Sequence, residues 1–325
     1  LKRVYRPSMY SKIKYLRSLL NDDEQELVLN VCNGTQDILD MDKLNLSDER
    51  KTIICDLCSE YLKFMVVKKT IESDDYRSRF MSVLKYRNNL PVIDNFRDIP
   101  EPAAPEDGHG SSRIGLQGGN DVDGWYTELS YRRTCHELMD PDEGYNFDSQ
   151  IVLGKISGRY YYEENKFTLQ SFDFVDVLSL PVTDSFNVSK CYNFRLAIVR
   201  NPVEDGWVHS FNLKGAGGYS TLLWSLLHVY AMAGGNSFFA DDYEYNMDLQ
   251  LGGETGIITI LGPWKNHLWG KAYMAPLGTK HTILSAGASE RITFNRYFAV
   301  IGEINWVRNF NKTNMETSLK ACFYF

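Results

Sequence analysis

Long apolar runs are missing from the sequence. A membrane-spanning helix needs about 18 consecutive apolar residues, and the best candidate, at residues 222–233, is too short and is bounded by glycines. The start of the chain also lacks the apolar core of a secretory signal. Because the chain begins with Leu rather than Met, we expect a mature product or a fragment whose export signal, if it has one, lies upstream of Leu1.

A basic face is missing as well. Residues 1–105 hold 17 basic and 17 acidic side chains, so the remaining residues carry the whole net charge of −7. Proteins that bind nucleic acid concentrate Lys and Arg on one surface to neutralise phosphates. The charge distribution therefore argues against a nucleic-acid partner.

Cysteine is sparse and scattered. The six cysteines stand at positions 32, 55, 58, 135, 191 and 322, which is not the spacing of a dense disulfide framework. Cys55 and Cys58 form a C-x-x-C motif inside a helical pattern, and we predict that both are small buried helix residues rather than a redox or metal site. We expect no cofactor and no bound metal.

The first third of the chain reads as a small all-α segment, residues 1–90. Met9, Ile13, Leu16 and Leu20 recur at intervals of three and four residues, which places them on one helix face. Ser47 precedes another such pattern and is a predicted N-cap. A proline-rich linker is predicted at 91–110, and a second domain at 111–325.

The rest of the chain alternates apolar and polar residues with a period of two. In the stretch YEYNMDLQLGGETGIIT (243–259), Tyr243, Tyr245 and Met247 fall on one side of an extended chain, and Glu244 and Asp248 on the other. Only nine of the 43 aromatic residues precede residue 106. Aromatics crowded onto alternating strands are typical of barrels with lipid outside and a polar lumen inside.

The alternation predicts an antiparallel up-and-down β-barrel of about twelve strands, transmembrane and of the outer-membrane type. An even strand number and strands of about 9–11 residues fit this class. The rival fold is a soluble all-β barrel, which would leave rings of aromatics in water or bury the charged face. The predicted strands are 113–119, 125–132, 150–162, 167–180, 190–200, 207–217, 222–233, 243–259, 264–275, 281–290, 298–306 and 314–325.

Charged residues on the polar face of these strands are predicted to line the lumen. They can pair with one another and plug the bore, or line an open pore, since a barrel of this size allows either. The predicted lumen residues are Arg132, Lys155, Arg159, Arg195, Lys214, Glu244, Asp248, Glu254 and Glu303.

Polar residues around the first two strands are the candidates for chemistry. No catalytic role is assigned, because the nucleophile elbow G-x-S-x-G is absent and a triad is recognised by geometry. We expect the excursion at 134–147 to be a structural loop, with a triad or a cation site as the alternatives. The candidate residues are His109, Ser111, Arg113, His136, Asp140 and Asp142.

Several motifs resemble a bacterial cell-envelope family of poorly characterised proteins. They are RVYRPSMYSKI (3–13), GHGSSRIGL (108–116), ELSYR (128–132), CHELMDPDEGY (135–145), QI (150–151) and DVLSL (176–180). The resemblance implies a helical segment and a barrel-like domain preceded by a periplasmic domain. That preceding domain is related to Lnb-type lipoprotein N-acyltransferases and carries a thiol nucleophile. Its cysteine segment would lie upstream of Leu1, so Cys32, Cys55 and Cys58 do not inherit that role.

The leading hypothesis is an outer-membrane barrel that anchors a catalytic domain absent from this chain, which itself is then not an enzyme. We expect a location in the outer membrane of a Gram-negative bacterium, with residues 1–105 periplasmic and membrane lipid around the barrel. The terminal strand ending at Phe325 resembles the signal read by the barrel-insertion machinery, an expected partner. The alternatives are an envelope acyltransferase or hydrolase acting on lipid or lipoprotein at the barrel mouth, and a pore or channel.

Overall fold

Two compact units make up the chain, Leu1–Pro102 and Ala103–Phe325. The computed structural model describes residues 5–203, 206–277, 280–310 and 312–325. The division falls inside the linker predicted at 91–110. The first four residues of the predicted helical segment 1–90 lie outside the described residues.

The first unit is helical, as predicted. It comprises α1 (Met9–Ser18), α2 (Asp22–Asn33), a 3₁₀ turn (Ile38–Lys43), α3 (Asp48–Val67) and α4 (Ser73–Arg87). Ser47 caps α3, because its hydroxyl accepts a hydrogen bond from the backbone N–H of Arg50 at 3.3 Å. Among the described residues, no helix is both long and apolar enough to cross a membrane.

The core of the helical unit is apolar. Ile13, Leu16, Ile54 and Leu57 are at most 1% exposed. Cys32, Cys55 and Cys58 are also fully buried, with free thiols, and burial raises the pKa of Cys55 to about 12. A buried thiol with a raised pKa is a poor nucleophile, so the C-x-x-C pair behaves as core.

The second unit is a closed barrel of twelve antiparallel strands, as predicted. Consecutive strands pair throughout, and β1 closes the barrel on β12, with Arg113 opposite Tyr324. The strands are β1 (Arg113–Asp121), β2 (Gly124–His136), β3 (Ser149–Tyr161), β4 (Lys166–Ser179), β5 (Cys191–Val203), β6 (Gly206–Leu223), β7 (Leu227–Phe239), β8 (Met247–Leu261), β9 (Trp264–Leu277), β10 (His281–Asn295), β11 (Phe298–Asn309) and β12 (Lys312–Tyr324).

The up-and-down order fixes the two ends of the barrel. Strand β1 begins and strand β12 ends at the same end, which we call the terminal end. The loop from β2 to β3 and the loop from β4 to β5 lie there as well, and they are the longest connections of the barrel. The turn from β1 to β2 marks the opposite end.

Polarity is inverted in the barrel relative to a soluble protein. Leu129, Leu268 and Leu319 are 59%, 55% and 62% exposed on its outer face, whereas Arg113 and Lys265 are 1% and 0% exposed inside. Exposed Trp, Tyr and Phe side chains lie toward both ends of the strands. They include Trp125, Tyr162 and Trp306 toward the opposite end, and Trp264, Tyr297 and Phe323 toward the terminal end.

Two strand predictions were wrong at their first residues. The apolar run at 222–233 is not one strand: β6 extends to Leu223, and Trp224 and Ser225 make a turn with φ of 50° and 56° before β7. Strand β8 begins at Met247, not Tyr243, because Tyr245 and Asn246 adopt φ of 60° and 54°. A turn inside an apolar or alternating run does not change the spacing of apolar residues, so the sequence pattern does not predict it.

Candidate functional site

The loop between β2 and β3, residues 137–148, folds into the lumen at the terminal end, and we call it the plug loop. Leu138 and Asp142 are 6% and 8% exposed, and Asp140 is fully buried. The excursion predicted at 134–147 begins later than expected, because β2 continues to His136. Four carboxylates on this loop, Glu137, Asp140, Asp142 and Asp148, meet basic side chains of the barrel wall.

Asp140 is the centre of the plug loop. Its carboxylate accepts hydrogen bonds from Arg113 (Oδ1, 2.8 Å), from Tyr324 (Oδ1, 2.9 Å) and from Arg132 (Oδ2). The backbone N–H of Glu137 donates to Oδ2 at 2.7 Å. Burial alone would raise the pKa of Asp140, but the two guanidinium groups hold it well below its usual range. The carboxylate is therefore ionised and fully hydrogen-bonded.

Two further basic residues tie the plug loop to β9 and β10. Lys265 of β9 donates to Asp142 at 2.6 Å and lies 3.3 Å from a carboxylate oxygen of Asp148. Arg291 of β10 donates to Asp142 at 3.2 Å and to the backbone carbonyl of Asp140. The acidic loop thus reaches basic residues on both sides of the lumen.

Apolar side chains of the plug loop fill the space between these ion pairs. Leu138 belongs to a buried cluster with Leu178, Tyr230, Met232 and Ile258, from strands β4, β7 and β8. Met139 packs with Ala299, Ile301, Cys322 and Tyr324 of β11 and β12. The loop therefore contacts the wall around most of the barrel and fills the lumen at this level.

Two glycines let the segment before β1 pack against the plug loop. A Cβ on Gly108 would lie 2.2 Å from the carbonyl oxygen of Glu143, and one on Gly144 would lie 2.8 Å from that of Ala104. Gly144 also has a φ of +78°, which side chains disfavour. These glycines belong to the motifs GHGSSRIGL and CHELMDPDEGY.

The two candidate histidines form a buried pair beside Asp140. His109 Nε2 lies 2.8 Å from His136 Nδ1, and the His109 ring stacks on Tyr145 with centroids 4.3 Å apart. Burial lowers the pKa of His109, so its ring is neutral near pH 7. One atom each of His109, His136 and Asp140 lies within 4.8 Å of the others, close enough to share a metal ion.

A metal ion fits this group poorly. The Asp140 oxygens already accept four hydrogen bonds, two of them from the guanidinium groups of Arg113 and Arg132. A divalent cation would have to displace one of these guanidinium groups from the carboxylate and then lie next to another positive charge. The arrangement is better suited to holding the plug loop in place.

The remaining catalytic candidates do not converge on one site. Ser111 is exposed, and only its backbone carbonyl joins the network, accepting from Arg132 at 3.3 Å. Asp142 faces Lys265 and Arg291 rather than a histidine. Arg113, His109, His136 and Asp140 do meet, but as a buried network in which Ser111 offers no nucleophile.

Between the plug loop and the opposite end of the barrel, charged side chains of the lumen wall pair with one another. Arg159 donates to Glu128 (2.7 Å), Asp121 (2.8 Å) and Glu316 (2.6 Å) and lies over the ring of Tyr126. This network occupies the side of the lumen formed by β1, β2, β3 and β12.

The other predicted lumen residues lie as follows. Lys214 pairs with Glu254 at 2.7 Å, and Arg195 hydrogen-bonds Asp173 at 2.7 Å. Lys155 reaches Glu137, Asp248 accepts from Gln250, and Glu303 accepts from Ser289. Glu244 is the exception, since it is exposed in the 3₁₀ turn Glu244–Asn246, and its prediction as a lumen residue was wrong.

A polar cavity of about 270 Å³ remains on the β5–β9 side of the lumen. Arg195, Lys214, Glu254 and Lys271 line it together with carboxamide side chains, and Tyr230 and Leu178 form part of its wall on the side of the plug loop. The lumen is thus filled at the terminal end and partly open toward the opposite end.

A third arrangement joins the end of the plug loop to the hairpin of β6 and β7. Asp148 accepts a hydrogen bond from Nδ1 of His228, and Nε2 of His228 lies 2.8 Å from Oγ of Ser220. All three residues are at least nine-tenths buried. The sequence does not reveal this set, although Ser220 and His228 lie on one face of a short hairpin, because the apolar run 222–233 predicts a single strand.

Comparison with known families classifies the chain. The model of a domain of unknown function, DUF7840, matches residues 102–324, and that of a second, DUF7842, matches residues 3–99. The chain belongs to the DUF7840 family. No curated protein matches it.

Solved structures similar to this DUF7840 barrel include outer-membrane proteins. The NanC porin is 6% identical, with a TM-score of 0.42 over 65% of this chain and 100% of its own. An outer membrane channel from Pseudomonas putida F1 is 9% identical, with a TM-score of 0.41 over 72% of this chain and 100% of its own. At this distance the similarities say nothing about substrate or transport.

Proposed function

We propose that the DUF7840 barrel is an outer-membrane anchor whose lumen is closed at the terminal end by its own plug loop. The main support is the acidic loop, which is held by Arg113 and Arg132 of β1 and β2 and by Lys265 and Arg291 of β9 and β10. An open channel gains nothing from filling its bore with paired charges and apolar side chains, whereas an anchor needs only the outer face.

The outer face supports insertion into a membrane. Leucines exposed along the strands would be costly in water, at roughly 25 cal/mol per Å² of apolar surface. Trp and Tyr toward both ends match the aromatic girdles that membrane barrels place at the lipid–water interfaces. Lipid around the barrel would remove the cost of exposing the leucines and the aromatic side chains.

Three further parts of the proposal rest on the sequence. Residues 1–105 are periplasmic, and the barrel supports a preceding domain related to Lnb-type lipoprotein N-acyltransferases, as the motifs shared with that envelope family suggest. The terminal strand ending at Phe325 is read by the barrel-insertion machinery. In the folded barrel the Phe325 backbone pairs with Ser112 through bonds of 3.0 and 3.2 Å, which would complete the closing seam.

A gated channel is the second candidate, and one observation favours it. The cavity on the β5–β9 side already opens part of the lumen, so displacement of the plug loop alone would lengthen the free path. An acyltransferase or hydrolase at the His109–His136 pair has less support, because the neighbouring Asp140 carboxylate is already engaged by Arg113 and Arg132.

Conductance across planar lipid bilayers tests the anchor against the channel. The full chain, refolded in detergent and reconstituted, should pass no current above background. The double variant Asp140→Asn/Asp142→Asn should show openings, because the basic wall loses the charges that hold the loop. The matched control Asp241→Asn/Asp242→Asn, at exposed positions between β7 and β8, should stay silent. Steady conductance of the unmodified chain would contradict closure.

A further inference from the structure

We propose that Ser220, His228 and Asp148 form a nucleophilic triad that cleaves carboxylic esters inside the terminal end of the barrel. Ser220 is the nucleophile, His228 is its base, and Asp148 is a positioning residue. The proposal goes beyond the anchor function and does not require it, since the triad lies within the barrel whether or not the lumen conducts.

The hydrogen bonds select the productive tautomer of His228. The Asp148 carboxylate can only accept, so Nδ1 carries a proton, and in the neutral ring Nε2 is the free base. Ser220 Oγ lies 2.8 Å from Nε2, within the range needed for proton transfer to a general base. Such triads are recognised by this geometry and not by the order of residues in the chain.

Asp148 is held as an ionised group at a strained position. Burial would raise its pKa, but the hydrogen bond from His228 and the charge of Lys265, 3.3 Å away, keep the pKa below its usual value. Its φ of 51° is left-handed, which a non-glycine residue adopts at some cost. The fold therefore accepts strain to place a carboxylate behind the His228 ring.

The surroundings of Ser220 indicate an acyl substrate. Its hydroxyl donates a hydrogen bond to the Pro181 carbonyl oxygen at 2.9 Å, beside the buried cluster of Leu138, Leu178, Leu180 and Cys191. Apolar walls suit a hydrocarbon chain. Leu178 and Tyr230 of this cluster also line the polar cavity, which the three triad residues themselves do not line. The alcohol portion of an ester would lie on that side of Ser220.

The loop between β4 and β5 covers the triad. Val182 forms a bridge to Ser220, and the Thr183 N–H donates to the Ser220 carbonyl at 2.7 Å. Ser220 is 3% exposed in this arrangement. Substrate entry therefore requires this loop to move away from Ser220, which also frees the serine hydroxyl from the Pro181 carbonyl.

The reaction balances with water as the only co-reactant. Ser220 Oγ forms a bond to the carbonyl carbon as its proton passes to Nε2 of His228. The carbonyl carbon–oxygen bond to the alcohol then breaks, and the alcohol leaves with that proton. Water, deprotonated by His228, attacks the acyl-serine, releases the acid and returns the proton to Ser220, while Asp148 stays ionised throughout.

Labelling with a fluorophosphonate probe tests the triad. The full chain in detergent should be modified at Ser220, located by mass spectrometry, and Ser220→Ala should lose the label. Ser130→Ala is the matched control, because Ser130 is an equally buried lumen serine that bonds a backbone carbonyl and no histidine; it should label like the unmodified chain. Electrophoresis with and without boiling checks that each variant folds.

The dependence on His228 separates catalysis from simple access. His228→Gln should slow labelling at least tenfold. We expect the labelling rate of the unmodified chain to rise with pH, and this rise should disappear in the variant. If His228→Gln does not fold, Asp148→Asn and the pH profile of the unmodified chain supply the same information. The proposal is overturned if the folded chain takes no label, if Ser220→Ala keeps it, or if the rate ignores His228. None of these results alters the conductance test of closure.

Discussion

The helical unit and the barrel place the same residue types on opposite sides. In the helices Leu16 and Leu57 are fully buried, whereas on the barrel Leu129 and Leu319 are 59% and 62% exposed. Arginine behaves in reverse, since Arg113 is 1% exposed inside the barrel. The helical unit therefore hides its apolar side chains from its surroundings, whereas the barrel hides its charges and exposes its leucines.

The largest expected effect comes from removing a charge inside the barrel. Asp140→Asn keeps the side-chain volume but removes the carboxylate that Arg113 and Arg132 share. The Glu137 carboxylate then remains to them, at 2.7 and 3.8 Å, so the change costs about 3 kcal/mol. The temperature at which the folded barrel band is lost on electrophoresis should fall clearly. Asp241→Asn, the same exchange at an exposed turn, should leave it unchanged, and equal behaviour of the two variants would refute the inverted polarity.

Leucine truncation should distinguish the two units next. Leu57→Ala removes a fully buried side chain from α3 and should destabilise the helical unit by about 2–5 kcal/mol. Leu268→Ala, on the outer face of β9, should change barrel stability by only about 0.5 kcal/mol in detergent. Thermal unfolding followed by circular dichroism measures the first, and loss of the barrel band measures the second. A large effect of Leu268→Ala would mean that this face packs against protein.

The smallest expected effect concerns a carboxylate in the helical unit. Burial would raise the pKa of Glu24, but its hydrogen bonds to Arg50 and to the Asn21 backbone lower it. The resulting stability is present above the usual pKa near 4.5 and is lost as pH falls through the lower folded value. Glu24→Gln should cost about 1 kcal/mol at pH 7 and flatten the acid dependence, whereas exposed Glu26→Gln should do neither.

Much of the fold follows from the sequence because alternation and helical periodicity both report burial. Met9 to Leu20 predicted α1, and the alternating segments predicted twelve strands and a polar lumen. Turns were harder, because the positive φ of Trp224 and Tyr245 leaves no trace in the spacing of apolar residues. The errors at β7 and Glu244 both arose in this way.

The site was less predictable because it is made by contacts between distant residues. The sequence singled out His109, Arg113, His136 and Asp140 as candidates, and these residues do meet. It did not indicate Lys265 of β9 or Arg291 of β10. Ser220 and His228 share a hairpin, but Asp148 is 80 residues from His228 along the chain and reaches it only because the plug loop folds into the lumen. Local patterns cannot reveal such a distant partner.

The inverted polarity predicts that the barrel spans a membrane, and heat-modifiability in detergent measures this property. The refolded chain is run on electrophoresis in detergent with and without boiling. We expect an unboiled band of different mobility that converts to the unfolded position on boiling, together with a strand-rich circular dichroism spectrum and precipitation when detergent is removed. A chain that shows no shift in mobility and stays monomeric in plain buffer would contradict a membrane-spanning barrel.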